Sequence, residues 1–152
     1  MLSGVIYTAR DAAHARMVET LARGEDVPID LKGACIYYAG PCPTAPGEVI
    51  GPCGPTTSGR MDKYTPELIK RGLTAMIGKG MRSEEVVQAM QGKAVYFAAT
   101  GGAAMLIASC VKEASVIAYD DLGTEAIRRL VVEDMPVVVA IDAQGGNLYE
   151  RN

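Results

Sequence analysis

The run Gly54-Pro55-Thr56-Thr57-Ser58-Gly59-Arg60-Met61-Asp62 sets three consecutive hydroxyls between glycines and follows them with an arginine. Glycine lets backbone N–H groups come close to a ligand, hydroxyls donate and accept, and a guanidinium meets a carboxylate through two parallel hydrogen bonds. Such a loop binds an oxyanion, although an ordinary turn with a helix cap draws on the same residue types. Gly78-Lys79-Gly80 isolates one lysine at the end of an expected strand, where ligands meet open α/β sheets. Because Gly80 stands where a phosphate loop needs Ser or Thr, this is not a nucleotide motif, and the plainer reading of Lys79 is a solvated loop lysine. Arg10-Asp11-Ala12-Ala13-His14 lies where the first strand passes into the first helix. An arginine there opposes the helix dipole, which points to a ligand or to a buried acid as its partner, and Asp11 is at hand to pair with it. His14, the single histidine, is a candidate for proton transfer or for a hydrogen bond inside the fold.

Other chemistries are less well served. The cysteines at 35, 42, 53 and 110 form no close C-x-x-C pair, so four reduced thiols are expected and no metal site within this chain. Cys42 and Cys53 fall in Gly/Pro-rich loops but fall short of a full iron-sulfur ligand set. A net charge of −3 with acids and bases mixed along the chain offers no basic stripe for nucleic acid and no cationic cluster for anionic lipid. Apolar runs such as Val137 to Ile141 fall far short of the roughly 18 residues of a membrane span, and Met1 to Arg10 does not read as a cleavable signal. A soluble, cytoplasmic protein is expected.

The elements that must position these groups alternate along the chain. At 152 residues and 49% apolar content, one domain over 1–152 buries roughly 70% of its unfolded surface. Leu2 to Thr8 reads as a strand and Arg10 to Leu21 as a helix stopped by Gly24. Gly33 to Ala39 reads as a buried strand that runs into Gly40 to Gly59, a segment too rich in glycine and proline for a regular element and long enough to suggest function. Thr65 is expected to cap a helix with Pro66 at its first position and Gly72 at its end. Leu73 to Ile77 is then a strand, Ser83 caps a helix through Met90, Lys93 to Ala99 is a strand, and Gly101-Gly102 leads into a helix from Ala103 to Cys110. Strands at Ser115 to Tyr119, Ala126 to Val132 and Val137 to Ile141 follow, with Gly145-Gly146 turning the chain toward a closing hairpin at Asn147 to Tyr149. The pattern is an α/β domain with a mixed sheet.

Taken in order, Arg10-Asp11-x-x-His14, Tyr37-Tyr38-Ala39-Gly40-Pro41, the Gly54 to Asp62 run, Gly78-Lys79-Gly80, Gly101-Gly102, Leu122-Gly123-x-Glu125-Ala126 and Pro136 with Asp142 resemble the class I (iron-sulfur) fumarases. The likeness is to the carboxy-terminal domain of the one-chain enzymes and to the β subunit of the two-chain fumarases and L-tartrate dehydratases, and it covers nearly the whole chain. It implies a swivelling β/β/α domain. It also implies a hydro-lyase that dehydrates a 2-hydroxy dicarboxylate, malate to fumarate or tartrate to oxaloacetate, with a 4Fe-4S cluster held by an α subunit and self-association through that heteromer. Arg10, Arg60 and Lys79 match the family's cationic substrate ligands. Thr56 matches the threonine proposed to exchange the C3 proton, with Lys79 beside it in the catalytic set. Family β subunits usually carry a further segment ahead of the Leu-Ser-Gly that here follows Met1, so the resemblance implies a form short at its N-terminus. The alternative of another class is a non-catalytic dicarboxylate-binding or scaffold domain built on the same loop.

Overall fold

The computed structural model describes residues 1–99, 104–144 and 146–147. Its strands are β1 (Leu2–Thr8), β2 (Cys35–Tyr37), β3 (Ala75–Gly78), β4 (Val95–Ala98), β5 (Val111–Ala118), β6 (Ile127–Met135) and β7 (Val138–Ile141), and its helices are α1 (Asp11–Ala22), α2 (Thr65–Lys70), α3 (Glu84–Met90) and α4 (Ala104–Cys110). The strands form one mixed sheet in the order β5-β6-β1-β2-β3-β4-β7. The central four are parallel, Tyr7 lying opposite Ile36, Ile36 opposite Met76 and Met76 opposite Tyr96. β6 runs antiparallel to β1, β5 to β6 and β7 to β4.

Parallel strands covered on both faces read as apolar runs in which neighbouring residues serve opposite cores. Ile36 and Met76 pack with the first core, while Tyr37 and Ile77, one residue on, pack with the second. The first core takes Ala13, Met17 and Leu21 of α1, Leu68 and Ile69 of α2 and Val86 and Met90 of α3. The second takes Ile107 and Cys110 of α4 together with Ile50 and Cys53 of the Gly/Pro-rich segment. Three helices thus cover one face, and one helix with a long loop covers the other.

The expected α/β alternation and mixed sheet are present, with local differences. The strand expected over Gly33 to Ala39 is ordered only at Cys35–Tyr37. Gly33 sits in a turn at φ +78°, and past Tyr37 the Tyr38 carbonyl accepts from Thr56 N–H instead of from a neighbouring strand. Thr65 is not a cap. Tyr64 holds the cap position, and the Thr65 hydroxyl donates back to the Met61 carbonyl at 2.8 Å while accepting from Arg82 at 2.9 Å. Ser83 does cap α3, its Oγ accepting from Val86 N–H. β5 begins at Val111, earlier than expected, and β6 runs on to Met135. Near the C-terminus Asp142 N–H donates to the Gly146 carbonyl, and Ile141 bridges antiparallel to Asn147. Gly101-Gly102, Ala103, Gly145 and Tyr149 lie outside the described residues.

Candidate functional site

Because β1, β2 and β3 run in one direction, the chain leaves all three at the same edge of the sheet, the usual ligand side of an open parallel sheet. Arg10 follows β1, Tyr38 follows β2 and Lys79 follows β3. The hydroxyl-rich loop is stitched across these ends by its backbone. Thr56 N–H donates to the Tyr38 carbonyl at 2.7 Å, Thr57 pairs with Lys79 as a parallel bridge, and Ser58 N–H donates to the Lys79 carbonyl at 2.9 Å.

That register sorts the three hydroxyls by role. Ser58 is fully buried, and its Oγ lies 2.7 Å from Tyr96 Oη, which donates its own proton to the Gly80 carbonyl at 2.8 Å. A phenol has one proton, so the serine donates to the tyrosine and the chain of bonds locks the loop onto the Lys79-Gly80 turn. Gly78 is required for this contact, because a Cβ there would collide with Ser58 Oγ and lie 2.7 Å from the Tyr38 ring. Thr57 is exposed and Thr56 half-buried.

The short 3₁₀ turn Ser58–Met61 then buries Met61 and turns Arg60 outward. Arg60 Nε and Nη2 reach Asp11 Oδ2 at 2.8 and 2.7 Å, with the two side chains 53% and 32% exposed. A pair this exposed adds little stability, but it fixes where Arg60 sits: beside the first turn of α1, one residue from Arg10. Asp11 therefore pairs with Arg60. The Arg10 side chain runs over Gly40, where a Cβ would lie 3.0 Å from Arg10 Cδ and 2.6 Å from the Thr124 carbonyl. Glu125, from the turn Asp120–Glu125, accepts from Ala12 N–H at 3.3 Å and adds a negative charge at the start of α1.

Beneath this surface lies a cation that the sequence does not single out. Arg82 is buried, its Nε 2.7 Å from Asp62 Oδ1, its Nη2 on Thr65, and its Cζ 5.0 and 4.9 Å from the ring centres of Tyr38 and Tyr96. Asp62 Oδ2 also accepts from Ser83 N–H at 2.8 Å. The Arg60-Met61-Asp62 end of the loop thus has one outward residue and two that anchor it, and only the partner Arg82, distant in sequence, could have separated those roles. His14 is fully buried beside Tyr38 and Tyr64, at ring distances of 5.4 and 6.1 Å. Burial, helped by the charge of Arg82, pushes its pKa down to about 4.

Arg10, Thr56, Arg60 and Lys79 thus lie at one edge, three cations and a hydroxyl, with Asp11 and Glu125 as the acids beside them. This arrangement suits an anion with more than one carboxylate. It does not suit a metal. Among the described residues no three His, Cys, Asp or Glu side chains converge to hold one. The thiols of Cys35 and Cys53 are pushed up by burial to about 12, and Cys53 offers its carbonyl, not its sulfur, to Tyr37 Oη at 2.6 Å. Held protonated in this way, Cys35 and Cys53 do not fit as ligands of an iron-sulfur cluster. No helix among the described residues is long and apolar enough to cross a membrane.

Comparison with known proteins places the chain in a family. A family model described as fumarase C-terminus matches residues 1–152. The chain is 39% identical over 153 residues to the aerobic class I fumarate hydratase of Salmonella typhimurium, covering 99% of this chain and 26% of that protein. To fumarate hydratase 2 of Leishmania major it is 38% identical over 154 residues, again 99% of this chain and 27% of that protein. A protein of Methanocaldococcus jannaschii, provisionally named L(+)-tartrate dehydratase subunit beta, is 40% identical over 157 residues, with 99% of this chain and 80% of that protein covered. The chain therefore spans about a quarter of the length of the fumarate hydratases it matches and most of the length of a free-standing subunit.

Proposed function

Because this chain belongs to the fumarase C-terminus family, we propose that it is the β subunit of a hydro-lyase that dehydrates a 2-hydroxy dicarboxylate, malate to fumarate or tartrate to oxaloacetate. The observation that supports the reading is that the chain carries Arg10 and Lys79 to the ends of β1 and β3 and lays the Thr56-Thr57 loop across them through the Thr57–Lys79 bridge, with Arg60 held beside α1 by Asp11. The 4Fe-4S cofactor of such an enzyme is assigned to an α subunit, since Cys35 and Cys53 are held protonated by burial and the four cysteines form no close C-x-x-C pair. A cytoplasmic heteromer acting in central dicarboxylate metabolism follows from the same reading.

In this scheme Arg10, Arg60 and Lys79 hold one substrate carboxylate and stabilise the negative charge that builds on it as the C3 proton leaves. An arginine fork and a lysine point charge divide the work, one fixing orientation and the other adding field. Thr56 carries the C3 proton. An ordinary alkoxide is far too basic to form at neutral pH, so the hydroxyl acts as a relay that the neighbouring cations make easier to deprotonate and that an acid on the partner discharges. Thr56 N–H is anchored on the Tyr38 carbonyl, so the backbone that carries the hydroxyl is fixed.

The deciding experiment is anaerobic co-expression with a cluster-bearing α subunit, followed by assay with L-malate and both tartrate enantiomers. A brown complex that dehydrates one of these substrates is expected. A stable complex that binds dicarboxylates without turnover would overturn the catalytic assignment and leave a binding module.

A further inference from the structure

Resting on the reading above, we propose that His14 is a positioning residue for Arg10, acting as a fixed Nδ1–H donor to the Arg10 carbonyl and not as a proton carrier. Arg10 O receives two hydrogen bonds from the same residue, the ordinary helical one from His14 N–H at 2.9 Å and one from the ring at Nδ1, also at 2.9 Å. A carbonyl can only accept, so the proton sits on Nδ1. The ring cannot swing to serve another group, because it is fully buried against Tyr38 and Tyr64.

This bond matters because of what Arg10 lacks. It is the cap residue of α1, in extended backbone (φ −115°, ψ −163°), with no side-chain cap bond of its own. Its carbonyl is therefore the hinge about which the residue could turn between strand and helix, and the ring clamps that hinge while Gly40 gives the side chain its channel. Among the described residues the buried side-chain polar atoms without a hydrogen-bond partner are Arg10 Nε, Asp11 Oδ1 and His14 Nε2, all from this one segment. Such atoms lower stability. Their concentration beside the candidate site is what a segment shaped for a ligand would show. The charged groups facing His14 are Arg82 from ahead of α3 and Asp11 on its own helix, while Tyr38 and Tyr64 pack on it as neutral rings. The burial and the Arg82 charge favour the neutral ring, so both its proton and its position are constant through the working pH range.

Two measurements test this. Because His14 is the single histidine, ¹⁵N NMR of the uniformly labelled chain reads its tautomer without assignment. Neutral imidazole protonated at Nδ1, with Nε2 bare, is expected from pH 6 to 8; the Nε2–H tautomer, or a ring that titrates in that range, would overturn the proposal. The second is kinetic, in the complete α/β complex. His14→Asn keeps an amide N–H where Nδ1 stood and should hold KM and the pH profile close to wild type. His14→Phe keeps the packing but loses the donor and should raise KM on the order of tenfold with kcat changed much less. Collapse of kcat in His14→Asn at unchanged KM would make His14 a proton carrier and sink the positioning role, as would wild-type kinetics in His14→Phe. A wild-type complex inactive on every substrate would instead defeat the functional reading, and the tautomer measured on the chain alone would still decide whether His14 clamps Arg10.

Discussion

Arg60 donates from Nε to one oxygen of Asp11, with Nη2 in ion-pair contact with the same oxygen, and its remaining N–H groups can meet a ligand. Replacing it by lysine keeps the charge and removes the fork, so Arg60→Lys should raise KM for the dicarboxylate on the order of tenfold while kcat falls less, as steady-state kinetics of the complex will show. Thr56 behaves in the opposite way if it relays the proton. Thr56→Ala should lower kcat by roughly two orders of magnitude or more with KM little changed, and should slow exchange of the malate C3 hydrogen with deuterated solvent by a similar factor. Unchanged exchange would leave Thr56 only a positioning part. His14 has a consequence for stability. Its pKa is lower folded (about 4) than unfolded (6.5), so the unfolded chain takes up the proton first as the solution is acidified. The stability is whole above pH 6.5 and is lost as pH falls toward 4, by roughly 3 kcal/mol at most. Denaturant melts at pH 7 and 4.5 should therefore show a smaller loss in His14→Asn than in the wild type, and equal losses would contradict the burial of a neutral ring. At this scale the sequence displayed the reactive types but not their division of labour. Nothing in Thr56-Thr57-Ser58 says which hydroxyl is buried until the register with Lys79 is known, and Arg82 looked like any loop arginine because its partners Asp62, Thr65, Tyr38 and Tyr96 lie 14 to 44 residues away.

The strand ends matter more to the site than the strands themselves. β2 stops after Tyr37 because the next carbonyl is given to Thr56, and β3 ends in Gly78-Lys79-Gly80, where the loop crosses it. Gly78 carries the crossing, since no side chain can occupy that point while Ser58 is buried there. Gly78→Ala should push Ser58 off Tyr96, detach the loop from Lys79, lower stability by about 1–3 kcal/mol and cost the complex most of its activity. Gly80→Ala is the control: it meets no neighbouring atom but sits at φ +88°, so it should strain the backbone without detaching Ser58, and equal effects on activity would show that steric exclusion at Gly78 is not the cause. Helix and strand positions were legible where periodicity was strong, as in α1, whose Ala13, Met17 and Leu21 mark one face. The cap at Ser83 was legible too, because its chemistry is local. The cap assigned to Thr65 failed for the opposite reason: its hydroxyl is taken by Met61 and Arg82, a tertiary demand that a local pattern does not carry.

Seen as a whole, the molecule presents cations on one edge of its sheet and supplies little to complete them. The mixed sheet was expected from the alternation of elements, whereas the strand order, with β6 inserted beside β1 and β7 placed at the far side of β4, depends on long-range pairing that no local run of residues encodes. That order is nevertheless what brings Arg10, Thr56 and Lys79 together, since it makes β1, β2 and β3 parallel neighbours. Cys35 lies within β2 and packs against the second core that buries Cys53 and Cys110, while Cys42 is exposed on the loop. The Cys35 and Cys53 thiols, held protonated by burial, are poor iron ligands. The isolated chain, treated with iron and sulfide under anaerobic conditions, should therefore acquire no stable 4Fe-4S absorbance and show no malate or tartrate dehydration, and addition of a cluster-bearing α subunit should restore both. Substantial turnover by this chain alone would refute the division of labour between the two subunits.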